Sequence, residues 1–218
     1  AGVALMAVSM LTMQVPKPSS AGSQLDTKLS VKAPVPVLYG RSATGGTLVY
    51  RELSGDKNKF LWMAIALSAA GPIEGVEYAY ANDVGLNFAG NPSTSLAPVV
   101  STTPTSKKLY RNKFWMRYLN GETPSTTTIS QALGGAAPKN PGRMSGIATV
   151  AVKAEYDTDQ FPQGLPKMLW VARGVRVYDP RKDSTYPGGS GAHRLDNPAT
   201  WEFSENPYLC GLHWVMGT

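Results

Sequence analysis

The sequence predicts a mainly β protein with a few short helices and several β-hairpins. Apolar and polar residues alternate with period two in short segments, as in Ala148–Tyr156, and this is the period of a half-buried strand. Glycine and proline separate these segments, and both residues favour turns. The segment between Asn206 and Gly217 combines the start and stop signals of a helix.

The chain opens with an apolar segment, Ala1 to Met13, which is followed by the proline- and serine-rich PKPSSAGS. It is too short to span a bilayer as a helix, which needs about 20 apolar residues. It also lacks the basic leader of a signal peptide. We expect a short helix here that packs against another chain or a neighbouring domain.

Two β-hairpins are predicted next. Gly45-Gly46 provides a turn into a strand over Leu48 to Leu53, after an extended, proline-containing entry. The long apolar segment from Lys57 to Ala70 is followed by the break Gly71 to Gly75 and the β-prone VEYAY. Length alone would allow a buried helix, but the tight break and the short strand-like segment after it favour a second hairpin.

The middle of the chain predicts two long loops around one strand. Asn87 to Pro104 is rich in Ser, Thr, Pro, Gly and Asn, and we expect a surface loop. A strand follows around Leu109 to Leu119, with one face formed by Phe114, Met116 and Tyr118. Asn120 to Arg143 returns to loop composition, and a polar excursion of this length is typical of an inserted or partner-facing segment.

Two strands are predicted in the last third of the chain. The first places one set of alternating residues on a single face: Ala148, Val150, Val152, Ala154 and Tyr156. The second places another set on one face: Leu169, Val171, Val175 and Val177. Gly174 lies between two arginines and is predicted to be a β-bulge. Asp179-Pro180 then ends the strand as a turn, and a loop from Lys182 to Pro198 follows.

A helix is predicted to end this region. Asn206 reads as its N-cap and Pro207 as its first helical residue. Gly217 is expected to stop it. Between these signals, apolar residues recur at helical spacing: Tyr208, Leu209, Leu212 and Met216.

Composition limits the functional classes. The 218 residues suffice for one large domain or two small ones. Cys210 is the single cysteine, which excludes an intrachain disulfide framework, favours folding in the cytosol and indicates a small buried residue on the last helix. The formal net charge is +6, but the basic residues are scattered, which favours a solvated surface.

The densest basic group, from Lys107 to Tyr118, has two interpretations. Its basic residues are interleaved with Tyr110, Trp115 and Tyr118, a pattern that proteins binding single-stranded nucleic acid use for base stacking. The same residues fit an amphipathic strand, which we favour.

Few residues have the chemistry of a catalytic or metal site. Gly188-Gly189-Ser190-Gly191 lacks the lysine of a phosphate-binding loop, and Ala192 stands where a nucleophile elbow needs glycine. Cys210 and His213 lie three residues apart, but a metal site would also need a carboxylate such as Glu205. Core packing is the alternative for this pair, and His193 is the second histidine.

Asp157 and Asp159 form a D-x-D pattern that can hold a divalent cation or make a solvated turn. The residues after it do not continue the ligand series of a calcium loop, which favours the turn. We therefore predict no catalytic, cofactor-binding or metal-binding residues.

Three blocks of sequence carry a resemblance to one family. They are SQLDTKLSVKAPVPVLYGRSATGGTLVYR, the GPIEG turn at Gly71 to Gly75, and VAVKAEYDTDQFPQGLPKMLWVARGVRVYDPR with the later SENPYLCGLHWVMG. In this order and spacing the chain resembles the central tail hub, or tip attachment (host specificity), proteins of long-tailed phages and gene transfer agents.

The resemblance implies small barrel-like hub domains in a structural virion protein. Such a hub is trimeric, caps the tail tube at the distal tail tip, and supports host attachment and genome delivery. The implied partners are two further copies, other tail tip and distal tail proteins and the tape-measure protein, with no enzyme activity, cofactor, small-molecule substrate or specific nucleic acid. The implied location is the virion tail tip, after synthesis in the host cytoplasm.

Three regions follow from this interpretation. Residues 1–20 form an apolar N-terminal segment, 21–145 a β-rich hub region with long polar loops, and 146–218 a strand-strand-helix hub region that continues into a longer chain. Two other functions remain as alternatives: a virion-associated cell-wall hydrolase based on Cys210, His213 and the polar loops, and a basic nucleic-acid-binding module based on Lys107 to Tyr118.

Overall fold

The computed structural model describes residues 27–28, 33–103, 109–135 and 142–217. The helix expected over Ala1 to Met13 lies outside the described residues. The strands are β1 (Arg41–Thr44), β2 (Thr47–Ser54), β3 (Phe60–Ser68), β4 (Ile73–Ala81), β5 (Val84–Phe88), β6 (Ala97–Thr103), β7 (Phe114–Leu119), β8 (Ala148–Glu155), β9 (Met168–Val177) and β10 (Glu202–Phe203). The helices are α1 (Ile129–Ala132) and α2 (Pro207–Met216). The predicted mainly β fold class is confirmed.

All ten strands belong to one antiparallel sheet. Its order is β1-β9-β4-β5-β6-β7-β8-β3-β2, and β10 pairs with β9 beside β1. Strands from the predicted regions 21–145 and 146–218 are therefore neighbours: β8 lies between β7 and β3, and β9 lies between β1 and β4. Among the helices of the described residues, none has the length and hydropathy to cross a membrane.

The sheet curls into a barrel-like shape because its two ends are joined by a very short link. β1 lies at one end of the strand order and β2 at the other, yet only Gly45 and Gly46 separate them along the chain. Two residues span less than about 10 Å, so the ends of the sheet must meet. Gly46 has a φ of 65° and a Cβ there would lie 2.6 Å from Ile65 Cγ2, so the corner requires glycine.

Both predicted hairpins are wrong in their pairing, although their strands exist. β1 does not pair with β2, which pairs with β3 instead. β3 and β4 are the strands expected around the Gly71 to Gly75 break, but β3 also pairs with β8, and β4 pairs with β5 and β9. The chain bends at Gly45-Gly46 without reversing, whereas it reverses at the Gly71 to Gly75 break, and in both cases distant strands take the neighbouring positions in the sheet.

The barrel interior holds the main hydrophobic core, and α1 covers a smaller core outside it. Val150 and Val152 of β8 point inward, as predicted, whereas Ala151 packs against α1 on the opposite face. This strand is thus buried on both faces rather than half-buried. Tyr156 lies beyond the end of β8 and is 74% exposed, which corrects its predicted inward position.

Gly174 forms the predicted bulge in β9. The consecutive amides of Gly174 and Val175 donate to the carbonyls of Gly40 and Leu38, at 2.8 and 2.9 Å. In a regular strand consecutive amides point to opposite sides, so this pattern marks a bulge. The bulge changes which residues face inward. Val175 and Val177 are buried as predicted. Before the bulge, the buried residues are Met168, Trp170 and Ala172 rather than the predicted Leu169 and Val171.

The loop predicted over Asn87 to Pro104 is wrong, because it contains β6 and the end of β5. β6 is shared between two neighbours: its first residues pair with β7 and the rest with β5. The Asn87 amide donates to Ser101 and Thr103, so polar residues join these strands across their exposed face. The strand predicted around Leu109 to Leu119 is confirmed over Phe114–Leu119 as β7, with Phe114, Met116 and Tyr118 buried, whereas its first half forms a turn.

The polar segment from Asn120 to Arg143 contains one element that was not predicted. Helix α1 begins after Thr128, whose hydroxyl accepts a hydrogen bond from the Gln131 amide. The Gln131 side chain accepts in return from the Thr128 amide, which completes a capping box. The Thr-x-x-Gln spacing was a usable sequence signal for this helix.

Candidate functional site: the α2 surface and adjoining cleft

Helix α2 forms where its capping residues predict. The Asn206 side chain accepts a hydrogen bond from the Tyr208 amide at 2.9 Å, and Pro207 occupies the first turn. Gly217 ends the helix with a φ of 71° in the left-handed region. The sequence therefore determined both ends of the element that carries the candidate surface.

The inner face of α2 is fixed to the segment before β1. Leu209 and His213 are buried, and His213 Nδ1 lies 2.7 Å from the Tyr39 hydroxyl. The His213 ring also packs edge-on against Trp201, with 5.6 Å between ring centroids. Burial lowers the pKa of His213 and raises that of Tyr39, so both are neutral at neutral pH.

The outer face of α2, formed by Tyr208, Trp214 and Val215, is apolar and exposed. These side chains are 86%, 70% and 81% exposed, respectively. Tyr208, one of the apolar residues that recur at helical spacing, thus points outward, whereas Leu209 is buried. Gly211 lies on the same helix, and nothing lies within 4 Å of the position its Cβ would take. An exposed group of large apolar side chains is typical of a protein interaction surface.

A cleft of about 750 Å³, here called the Trp201 cleft, adjoins the inner face of α2. Trp201 and His213 form one part of its wall, and Pro72, Pro124 and Pro198 form much of the rest. Arg176 and Glu122 contribute opposite charges. Arg176 is already paired, because its Nε lies 2.9 Å from Glu74 Oε2. The cleft is thus mainly apolar and resembles a binding surface for apolar groups.

The loop predicted over Lys182 to Pro198 is confirmed, and it is built around a buried carboxylate. Asp183 accepts hydrogen bonds from the Thr185 amide, the Thr185 hydroxyl and the Tyr178 hydroxyl. Arg194 Nη1 adds an ion pair at 3.1 Å. These hydrogen bonds, first those from Thr185, lower the pKa of Asp183 to about 2. Burial and the bond to Asp183 raise the pKa of Tyr178 to about 12.

The Gly188 to Gly191 segment has a structural role in this loop. A Cβ on Gly189 would lie 2.2 Å from the carbonyl oxygen of Asp183, so glycine permits the close approach of two backbone segments. His193 is also buried, and its Nδ1 accepts a hydrogen bond from the Asp179 amide at 3.1 Å. The Asp183 network was missed from the sequence because its residues lie in an irregular loop with no diagnostic spacing.

The Cys210 and His213 pair is not arranged as a metal or nucleophile site. His213 Nδ1 is occupied by Tyr39, and Cys210 Sγ lies 3.7 Å from the Ser204 carbonyl. Burial raises the pKa of Cys210, which is half-buried and therefore a neutral thiol. Across residues 27–28, 33–103, 109–135 and 142–217, no three His, Cys, Asp or Glu side chains group to hold a metal ion, so Glu205 does not complete one.

The D-x-D pattern forms the turn, and the basic group contains the amphipathic strand, that the sequence favours. Asp157 accepts hydrogen bonds from the amides of Asp159 and Gln160, which makes a turn. In the basic group, Tyr110 and Tyr118 are buried in the core and cannot stack on bases. Trp115 faces outward, but the Lys153 ammonium lies 4.3 Å from its ring centroid.

Comparison with known proteins gives a structural similarity of low extent. No family model matches this chain, and no curated protein matches it. Among solved structures, the chain is similar to a chain from the "Virion of native gene transfer agent (GTA) particle", with a TM-score of 0.45 and 18% identity. The similarity covers 70% of this chain and 29% of that one, so this chain spans under a third of its length. A similarity at this level does not establish a family or a function.

Proposed function

We propose that this chain is a structural virion protein, part of the central hub at the distal tail tip of a long-tailed phage or gene transfer agent. In this role it helps to cap the tail tube and supports host attachment and genome delivery. It acts as the N-terminal part of a longer hub protein and assembles as a trimer. Its neighbours are other tail tip proteins and the tape-measure protein.

One observation carries this proposal: the blocks that resemble hub proteins come together in space. β1 from the first block and the start of β4 from the second lie on either side of β9 from the third. Tyr39 of the first block contacts His213 of the final segment at 2.7 Å. The resemblance therefore comes from one packed unit rather than from scattered short matches, which supports a shared architecture.

The surface is also suited to assembly. The outer face of α2 exposes three large apolar side chains, and the Trp201 cleft adds an apolar concavity next to the same helix. Long-lived protein interfaces have apolar centres rich in aromatic residues. Neither alternative gains comparable support, because Cys210 and His213 do not act together and two aromatic rings of the basic group are buried.

Labelled particles test the location. An epitope inserted after Gly164 would sit in an exposed turn with no atom near the glycine Cβ position. Particles carrying this insertion, decorated with the matching antibody fragment, should show extra density at the distal tail tip by electron microscopy. Particles without the insertion serve as the control. Density on the head, neck or tube wall would contradict the proposal.

A further inference from the structure

The β1–β2 segment crosses the line where the two ends of the curled sheet meet, here called the seam. Every neighbouring pair in the strand order is antiparallel, so β1 and β2 run in the same direction. Together they form one edge strand that bends at Gly45-Gly46. The β1 part of this edge strand pairs with β9, and the β2 part pairs with β3. In the described part of the chain, the two ends of the sheet are therefore joined only near the Gly45-Gly46 corner.

Beyond the corner, one edge of β2 has no paired strand among the described residues. β2 pairs with β3 from Thr47 to Ser54, with a register shift between Leu48 and Tyr50. On its other side the described residues form a single bridge, between Lys28 and Thr47. β1 covers β9 from Trp170 to Arg173, which leaves Met168 at the start of β9 without a strand on the seam side within the described residues. The backbone amides and carbonyls along this part of β2 can therefore accept another strand.

A cleft of about 370 Å³, here called the seam cleft, lies between these two edges. Its floor is apolar and includes Leu48, Met63, Ile65 and Met168. Arg51 contributes to its wall, is exposed, and forms no ion pair with any described residue. Val49 and Leu53, two positions to either side of Arg51, are 43% and 46% exposed.

We propose that the seam cleft binds an extended segment of another polypeptide, which adds as a strand to the open edge of β2. The backbone of an edge strand is matched only by another extended backbone, and alternate side chains of the added strand then enter the cleft. Those side chains are apolar, to match the floor. A carboxylate between them pairs with the guanidinium of Arg51.

A second copy of this chain is a poorer occupant than a foreign segment. Pairing two β2 strands about Arg51 would place two guanidinium groups opposite each other, and like charges directly opposite destabilise a strand pair. This inference rests on the seam alone and is independent of the tail tip assignment, so either can fail without the other.

A designed peptide tests the inference with the full chain. The probe alternates valine and threonine, with aspartate replacing one central threonine, and its binding is followed by fluorescence anisotropy. We expect saturable binding, weakened by about tenfold or more in Arg51→Glu. A matched peptide with lysine in place of aspartate should show the reverse preference. Arg111→Glu, which changes an exposed arginine that does not line the seam cleft, should leave both affinities unchanged.

A backbone control separates strand addition from simple apolar binding. Methylation of alternate amide nitrogens on the hydrogen-bonding edge of the peptide should abolish binding, while methylation on the other edge should not. Peptide binding should also slow hydrogen exchange in β2. Absence of binding, equal binding of both methylated forms, or an Arg51→Glu variant that binds the two peptides as the unsubstituted chain does would each overturn the proposal.

Discussion

At the residue scale, two contacts join parts of the chain that are far apart in sequence, and a third set of contacts holds one loop together. Tyr39 bonds His213, Gly174 lies against Leu38, and Asp183 collects donors from both sides of its loop. Each contact depends on a particular chemical property: a shared hydrogen bond, the absence of a side chain, or a buried negative charge. A single substitution at any of them therefore has a defined expected effect.

Asp183→Asn should reduce stability at neutral pH and flatten the acid limb of the stability profile. The pKa of Asp183 is about 2 in the folded protein, below the ordinary value of about 3.9. Its stabilising contribution is thus fully present above the ordinary pKa and is lost as the pH falls toward 2. Urea unfolding at several pH values measures this. Asp159→Asn, at an exposed carboxylate, is the control; an equally steep acid limb in Asp183→Asn would refute the assignment.

At the element scale, replacing a glycine by alanine should have opposite effects on stability in strand β9 and in helix α2. A Cβ on Gly174 would lie 2.1 Å from the Leu38 carbonyl oxygen, whereas nothing lies within 4 Å of that position at Gly211. Gly174→Ala should destabilise the protein by about 1–3 kcal/mol, because the bulge must shift. Gly211→Ala should stabilise it by up to about 1 kcal/mol, because alanine favours the helix. Thermal and urea unfolding distinguish them; effects of the same sign would contradict this account.

The N-cap of α2 can be tested separately. Asn206→Ala removes the side chain that accepts a hydrogen bond from the Tyr208 amide, and it should lower the free energy of unfolding by about 1 kcal/mol. Asn206→Asp keeps an acceptor and adds a negative charge at the helix N-terminus, so it should retain the stability. If the two variants unfold alike, the cap does not stabilise α2.

The elements that could be predicted from the sequence are those with strong local signals. β7, β8 and α2 have clear periodicity or capping residues, and Gly174 was identified from its position in β9. Strand pairing could not be predicted, because the paired strands are far apart along the chain. β8 lies between β3 and β7, and β9 lies between β1 and β4, where some paired residues are more than a hundred positions apart. The candidate surface was missed in part because helical spacing alone did not distinguish the exposed Tyr208 from the buried Leu209.

At the scale of the whole molecule, a curled sheet presents different surfaces at separate places. The outer face of α2 and the Trp201 cleft lie beside β9 and β10, whereas the seam cleft lies where β2 approaches the start of β9. A protein with two such surfaces can contact two different neighbours at once. This arrangement suits a scaffold, whose function depends on holding several partners in fixed positions.

Replacing Trp214 and Val215 together by Ser should prevent incorporation of the protein into particles, if the outer face of α2 is an assembly interface as proposed. Both side chains are exposed, so the chain should fold normally. Loss of two apolar residues from an interface centre costs about 2–4 kcal/mol, which lowers affinity by more than about tenfold. Immunoblots of purified particles, with unfolding midpoints for the isolated chain, measure the two effects. Tyr186→Ser, at an exposed aromatic residue of the Lys182 to Pro198 loop, is the matched control. Normal incorporation of the double variant would show that this face does not hold the protein in the particle.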